Sequence, residues 1–289
     1  MTHLLCFGFG YSASVLARRL SSRGWTVTGT STTDAGASRV RSLGYHGVVF
    51  DGTAKTQAVS AAIATTTHIL LSIPPGASGD PALRVYGSDI AASPALTWIG
   101  YLSTVGVYGD SGGGWVSEET PARPSSERGM RRLDAETAWL TLSHRSDKAV
   151  MVFRLPGIYG PGRSTIDDLK AGTARRLVKP GQVFNRIHVE DIALAVEAAI
   201  GKPKAGRVYN VTDDEPAPPQ DVVAYGAQLL GLPVPPDLDF ATATLSPMAR
   251  SFYSENKRVS NGRMKAELGV QLAFPSYREG LLGIVQGQS

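Results

Sequence analysis

Side chains able to hold a phosphate, carry a charge or move a proton gather in a few short stretches of this 289-residue chain. The first is Gly8-Phe9-Gly10-Tyr11-Ser12-Ala13, set between an apolar run and an amphipathic one. Glycine-x-glycine-x-x-alanine in that setting makes a turn suited to a dinucleotide. The first glycine permits the bend, the second lets backbone approach a pyrophosphate, and the alanine lets the helix sit close on the strand. The helix start adds unpaired N–H groups and the positive end of its dipole. Cofactor contacts are expected from Gly8, Phe9, Gly10, Tyr11 and Ser12. An NAD site places Asp or Glu about 20 residues on, for the ribose 2′-hydroxyl. Thr30, Ser31 and Thr32 stand there instead, with Arg39 and Arg41 beyond. Hydroxyls without a carboxylate accept a 2′-phosphate, so NADP is favoured and NAD is the alternative.

Three further stretches bear on chemistry. Tyr101 to Asp110 ends an apolar run in Ser103-Thr104-Val105-Gly106-Val107-Tyr108-Gly109. Glu127 to Glu136 carries Arg128 and Arg132 four apart, then Leu133-x-Ala135-Glu136. Met151 to Arg163 runs from an apolar strand through Arg154 into Leu155-Pro156-Gly157-Ile158 and Tyr159-Gly160-Pro161-Gly162. So many turn residues after a strand mark backbone passing close to something bound.

The last stretch resembles the R-x-x-x-x-Y-G-P-G signature of the extended short-chain dehydrogenase/reductases, the nucleotide-sugar epimerase/dehydratase branch. Ser103 to Gly109 is similar to that branch's S-S-x-x-V-Y-G segment. Arg186-Ile187-His188-Val189-Glu190-Asp191-Ile192-Ala193 is similar to its H-V-x-D-x-A segment. Val208 to Thr212 and Arg258 to Asn261 fit its C-terminal lobe. The likeness spans essentially the whole chain. The tighter glycine spacing, where the branch has G-x-x-G-x-x-G, marks an atypical member.

The resemblance implies a set of roles. Thr104 takes the position of the serine that binds the substrate hydroxyl or carbonyl. Asp51-Gly52 falls where an acidic residue meets adenine, or is a simple turn. Ser72, Ile73, Pro74, Ser103 and Leu155 to Ile158 lie along the cofactor, and Tyr159 and Arg186 face the substrate. The tyrosine and lysine of the family's Y-x-x-x-K are replaced, at the register fixed by Leu133-x-Ala135-Glu136, by Arg128 and Arg132. Arg132 can still bind a ribose, but a guanidinium does not deprotonate at any working pH. Tyr108 is the first candidate for the displaced acid/base. Two functions stay open: an NAD(P)-dependent epimerase, dehydratase or reductase acting on a sugar-like or nucleotide-activated substrate, and an NADP(H)-binding sensor without turnover.

Composition narrows the alternatives. Net charge is 29 − 25 = +4, without the long basic stripe that nucleic acid requires. Arg163, Lys170, Arg175, Arg176, Lys179 and Arg186 suit a small anionic ligand, or form a solvated loop. A lone Cys6 and five scattered histidines give no metal-ligand spacing. No apolar run reaches the roughly 18 residues of a membrane span, and no charged leader precedes the first strand, so the cytoplasm is the expected compartment. A homodimer through the helices around the Y-x-x-x-K position is the family's habit.

These residues need a scaffold. Strand-like runs at Leu4–Gly8, Trp25–Thr30, Gly47–Phe50, His68–Ile73, Thr97–Ser103 and Ala149–Arg154 alternate with helical periods, including Met130–Ser143. That order predicts an α/β, Rossmann-type doubly wound parallel sheet. Residues 1–157 and 186–212 are read as the NAD(P)-binding domain. Residues 158–185 and 213–289 are read as a small discontinuous substrate lobe.

Overall fold

The computed structural model describes residues 2–288. Short apolar strands whose faces are both buried need helices on each side. In chain order β1 (His3–Phe7), α1 (Tyr11–Ser21), β2 (Thr26–Ser31), α2 (Asp34–Ser42), β3 (His46–Val49), α3 (Gln57–Thr65), β4 (His68–Leu71), α4 (Pro81–Ala92) and β5 (Trp98–Thr104) alternate. A single 3-10 turn (Val105–Tyr108) and β6 (Trp115–Val116) lead into the long α5 (Glu127–Arg145) and β7 (Ala149–Leu155). There follow β8 (Gly157–Tyr159), α6 (Thr165–Lys170), β9 (Arg176–Val178), β10 (Arg186–His188), α7 (Val189–Gly201) and β11 (Val208–Asn210). The chain ends through α8 (Pro219–Leu229), β12 (Asp237–Asp239), α9 (Pro247–Phe252), β13 (Arg258–Val259) and α10 (Tyr277–Gln286).

Among the described residues the main sheet has seven strands, all parallel, in the order β11-β7-β5-β4-β1-β2-β3. The chain winds outward from β1 to β3, then returns to lay β4 on the other side of β1. The crevice at that reversal, beyond the carboxyl ends of the strands, is where doubly wound sheets bind ligands. Alternation along β1 sends Leu4 and Cys6 to the core under α1 and α7, and Leu5 and Phe7 to the core under α3, α4 and α5.

The α5 helix starts at Glu127, three residues before the apolar period suggests, because Ser126 accepts a hydrogen bond from Gly129 N. Residues 164–185 contain α6 and β9. Apolar side chains from β8, α6, α8 and α10 (Tyr159, Ile166, Val222, Tyr277, Leu281) share a separate small core. Parallel pairing of β8 with β10 sets Arg186 opposite Gly157, just past the end of β7.

Candidate active site

At the end of β1, Gly8 adopts φ 86°. A Cβ there would lie 3.1 Å from Ile73 Cγ1 and 3.3 Å from the Ile73 nitrogen, so only glycine allows the ends of β1 and β4 to approach. Gly10 has φ −96°, and no atom lies within 4 Å of where its Cβ would be. The α1 helix that follows has no side-chain cap and no acid in its first turn. By contrast α2 to α7 are capped by Thr33, Thr56, Asp80, Ser126, Ser164 and His188. Unpaired N–H groups facing open space beside a glycine turn fit a pyrophosphate.

The other expected cofactor residues divide. Thr30 is 1% exposed, and its hydroxyl accepts a hydrogen bond from Gly8 N at 2.8 Å, while its carbonyl accepts from Phe9 N at 2.9 Å. Its hydroxyl holds the glycine turn and cannot meet a 2′-phosphate, which corrects the expectation from sequence. Ser31 and the exposed Thr32 remain at the rim. The Phe9 ring lies 5.4 Å from Tyr45 and its N–H is taken by Thr30 O, so Phe9 offers a cofactor no free backbone donor. Asp51 is exposed and accepts from Thr53 N and Oγ1 at 2.8 and 2.7 Å, bonds that hold its carboxyl below the usual range. That is the turn role, with Gly52 at φ 86° completing the bend. Ser72 and Ile73 line Gly8, and Pro74 after them is exposed.

At the end of β5, Thr104 is half-buried and its Oγ1 accepts from Gly106 N at 3.1 Å, leaving its O–H free to donate. Ser103 points the other way. It is buried and donates to Glu136 Oε1, so its side chain is not a cofactor contact. Glu136 in turn receives Arg154 through Nη2 at 2.7 Å and Nε at 3.2 Å. The Arg154 guanidinium lies 4.8 Å over the Tyr108 ring. Tyr108 is 3% exposed and donates to Asn210 Oδ1 at 2.8 Å. Burial raises its pKa. A buried phenol engaged with an amide is a core residue, and the expected proton-transfer role for Tyr108 does not fit. Arg132 is half-buried on α5 and donates from Nη1 to Leu102 O at 2.6 Å. Arg128 is exposed one turn earlier.

Beyond β7 a cleft of 450 Å³ is lined by Gly157, Ile158, Tyr159, Arg163, Ser164, Thr165, Asp167, Asp168 and Arg186 among others. Leu155 is buried in the core and Pro156 is half-buried, so only the second half of that turn faces the opening. Tyr11 donates to Pro161 O at 3.0 Å, and Arg163 lies 5.9 Å over the Tyr11 ring. These contacts bind the Gly160 to Gly162 turn to the start of α1, so the cleft adjoins the glycine turn. Tyr159 offers the cleft its ring alone, because its hydroxyl donates to Ser276 O at 3.3 Å. Arg186 holds its side chain in place with Nη1 on the carbonyls of Phe184 and Ala217, at 2.9 and 3.1 Å.

Two buried residues that do not line the cleft but neighbour its Arg186 and Tyr159 escaped the sequence reading. Asp213 is 2% exposed, and neither carboxyl oxygen has a hydrogen-bond partner. Burial pushes its pKa up to about 8, with Arg186 opposing. His188 is fully buried, with Nδ1 accepting from Glu190 N and Nε2 unpartnered, and burial pulls its pKa down to about 4. The signal for Asp213 was the acidic run Asp213-Asp214-Glu215 just past a strand that reaches the carboxyl edge of the sheet. A second hollow, of 430 Å³ with His3, Thr28 and His46, lies at the amino end of β1 to β3, away from the crevice.

Among the described residues no group of three His, Cys, Asp or Glu side chains could hold a metal ion, and no helix is long and apolar enough to cross a membrane. No protein-family model matches the chain. The chain is similar to Protein YeeZ of Escherichia coli (strain K12), 29% identical, over 95% of this chain and 97% of that protein. It is similar to a conserved protein of unknown function from Silicibacter pomeroyi DSS, 48% identical with a TM-score of 0.90, over 100% of this chain and 99% of that one. At 18% identity and a TM-score of 0.77, over 99% of this chain and 96% of the other, its fold matches the dTDP-glucose 4,6-dehydratase of Bacillus anthracis str. Ames in complex with NAD. The chain therefore belongs to one family with the Silicibacter pomeroyi protein and has the Rossmann-type fold shared by NAD-dependent epimerases and dehydratases.

Proposed function

We propose that the chain is an NAD(P)-dependent enzyme of the epimerase, dehydratase or reductase kind, acting on an anionic, sugar-like or nucleotide-activated small molecule, with NADP favoured over NAD. The observation that carries this reading is the uncapped start of α1 facing the open space at Gly10. Tyr11 and Ser12 offer backbone N–H groups to the phosphates. Ser31 and Thr32 present hydroxyls and no carboxylate at the end of β2, which favours a 2′-phosphate. The bound nicotinamide would supply hydride transfer.

The chain's own residues orient the substrate. Thr104 offers its free O–H to a substrate oxygen, and Arg132 sets a fixed positive charge on the α5 side of the crevice. Arg128 stands at the tyrosine register. The bidentate Glu136–Arg154 contact supports that register, since Glu136 belongs to the same Leu133-x-Ala135-Glu136 segment. An arginine there orients an anion but shuttles no proton, so proton transfer falls to another group. The second reading, a sensor that binds NADP(H) without turnover, is favoured by this same pair of arginines.

Calorimetric titration of NADPH and NADH tests cofactor binding. Absorbance at 340 nm with keto-sugar and sugar-nucleotide substrates then separates the two readings. Oxidation of NADPH by any of them supports the enzyme, whereas tight NADPH binding with no turnover across the panel supports the sensor.

A further inference from the structure

Four charged side chains line the cleft beyond β7, two of each sign. Arg163 and Arg186 are the cations, and Asp167 and Asp168 in the first turn of α6 are the acids. None of the four belongs to an ion pair among the described residues. Elsewhere charges do pair, as Arg19 does with Glu197 and Arg207 with Glu267.

Arg186 is half-buried and fixed in place. Its Nη1 is taken by the carbonyls of Phe184 and Ala217, at 2.9 and 3.1 Å, while Nε and Nη2 have no bond to the described residues. Asp213 faces this guanidinium, but neither of its oxygens is bonded. A held guanidinium with its Nε–Nη2 edge unfilled is shaped to receive a carboxylate or a phosphate. The acids come from another element. Asp167 accepts from Ser164 Oγ through Oδ2 at 2.6 Å, which steadies that carboxylate and leaves Oδ1 free. Asp168 is exposed, and its carboxylate is bonded to none of the described residues.

Acids suit the first turn of any helix, so alone they mark nothing. Here they share a cleft of 450 Å³, the size of a small-molecule site, with a cation tied down on β10. A pure anion in this cleft would meet Asp167 and Asp168 as well as Arg186. A pure cation would meet the two arginines. Only a ligand with both signs answers each charge with its opposite.

We propose that the cleft takes a zwitterion, a small molecule whose carboxylate or phosphate sits on the Nε–Nη2 edge of Arg186 and whose protonated amine sits by Asp167 and Asp168. The inference rests on reading the chain as a dinucleotide-dependent enzyme with this cleft as its substrate site. It narrows the substrate class to anions that carry an amine. Arg163, whose guanidinium lies 5.9 Å over the Tyr11 ring, stands on the side of the cleft next to α1. An amino acid and an amino-sugar nucleotide share this chemistry, and matched probes separate them.

The test uses the full chain saturated with whichever nicotinamide dinucleotide it binds, in a calorimeter at about pH 6, where the probe amines carry a proton. Two pairs are titrated: 6-aminohexanoate against hexanoate, and UDP-glucosamine against UDP-glucose. In at least one pair the amine-bearing member should bind about tenfold tighter, the effect of one charge-assisted contact at a partly open site. The pair that shows it identifies the source. Asp168→Asn should reduce that preference, and Asp167→Asn with Asp168→Asn should erase it, leaving the amine-free member bound no more weakly than before. Arg186→Lys, which keeps the charge but not the fork, should weaken both members. Melting curves establish that the variants fold, and Asp168→Asn, at an exposed position, carries the test if the double variant does not. A preference unchanged in the folded aspartate variants overturns the proposal. So does equal or tighter binding of the amine-free member in both pairs, or binding of dinucleotide but none of the four probes. A protein that binds no dinucleotide fails the functional reading itself.

Discussion

Two arginine–carboxylate arrangements lie a few residues apart across the carboxyl edge of the sheet and behave differently. Arg154 and Glu136 are closed: both are buried, the fork is bidentate, and Ser103 and the Tyr108 ring complete it. Arg186 and Asp213 are open, with the cation tied to carbonyls and the carboxyl bonded to nothing. The first pair comes from the family-like signature segments; in the second, Arg186 lies in such a segment and Asp213 in none. The difference teaches that a signature arginine can be wholly structural, while an aspartate outside any signature is buried without a side-chain partner.

Breaking the closed pair should have the largest effect. Glu136→Ala leaves Arg154 charged and buried, and removing one partner of such a pair costs about 3–5 kcal/mol. Urea denaturation should show a loss of that size, and a loss under 1 kcal/mol would mean that the pair is well solvated. The open pair should respond in the opposite sense. The folded pKa of Asp213, about 8, lies above its ordinary value of 3.8. The folded state therefore binds this proton more tightly than the unfolded chain does. This group's penalty is absent below about pH 4 and grows as pH rises toward 8, each tenfold drop in proton concentration costing about 1.4 kcal/mol. Asp213→Asn removes the penalty, so its stability should exceed that of wild type by a margin that widens from pH 4 to pH 8, while acid stability is unchanged. Melting curves from pH 4 to 9 read this directly, and parallel wild-type and variant curves would contradict it.

The glycine turn supplies the next effect. Thr30→Val removes the acceptor of Gly8 N–H and should cost about 1 kcal/mol. It should weaken both dinucleotides equally, whereas Thr32→Asp should shift preference toward NAD by repelling a 2′-phosphate. A change in the NADP to NAD ratio in Thr30→Val would show that its hydroxyl reaches the ribose after all. The smallest effect belongs to the surface. Arg131→Ala removes an exposed i,i+4 pair with Glu127 on α5 and should change stability by about 0.5 kcal/mol or less.

The strands and the glycine turn were legible because they are written locally. A run such as Leu4 to Phe7 is apolar on both faces, and the Gly8-x-Gly10 spacing needs no distant partner. What the sequence hid are directions of side chains. Thr30 has the right residue type at the right count for a 2′-phosphate, but its place in β2 turns the hydroxyl toward Gly8 N. Tyr108 looked like a free phenol because Asn210, its partner, lies 102 residues away. Asp213 looked like one of three surface acids. It is buried where its own N–H donates to Arg186 O and the next N–H donates to Pro275 O, contacts set by tertiary packing alone.

The central claim is that the start of α1 binds a nicotinamide dinucleotide. Gly10→Asp tests it most directly, because the backbone there tolerates any residue and a Cβ meets no atom within 4 Å. The variant should fold as wild type does while setting a carboxylate where the pyrophosphate is expected. Calorimetry should show saturable NADPH binding to wild type and none to the folded variant. Equal binding in both, or no binding of NADPH or NADH to wild type at millimolar concentration, would contradict the account.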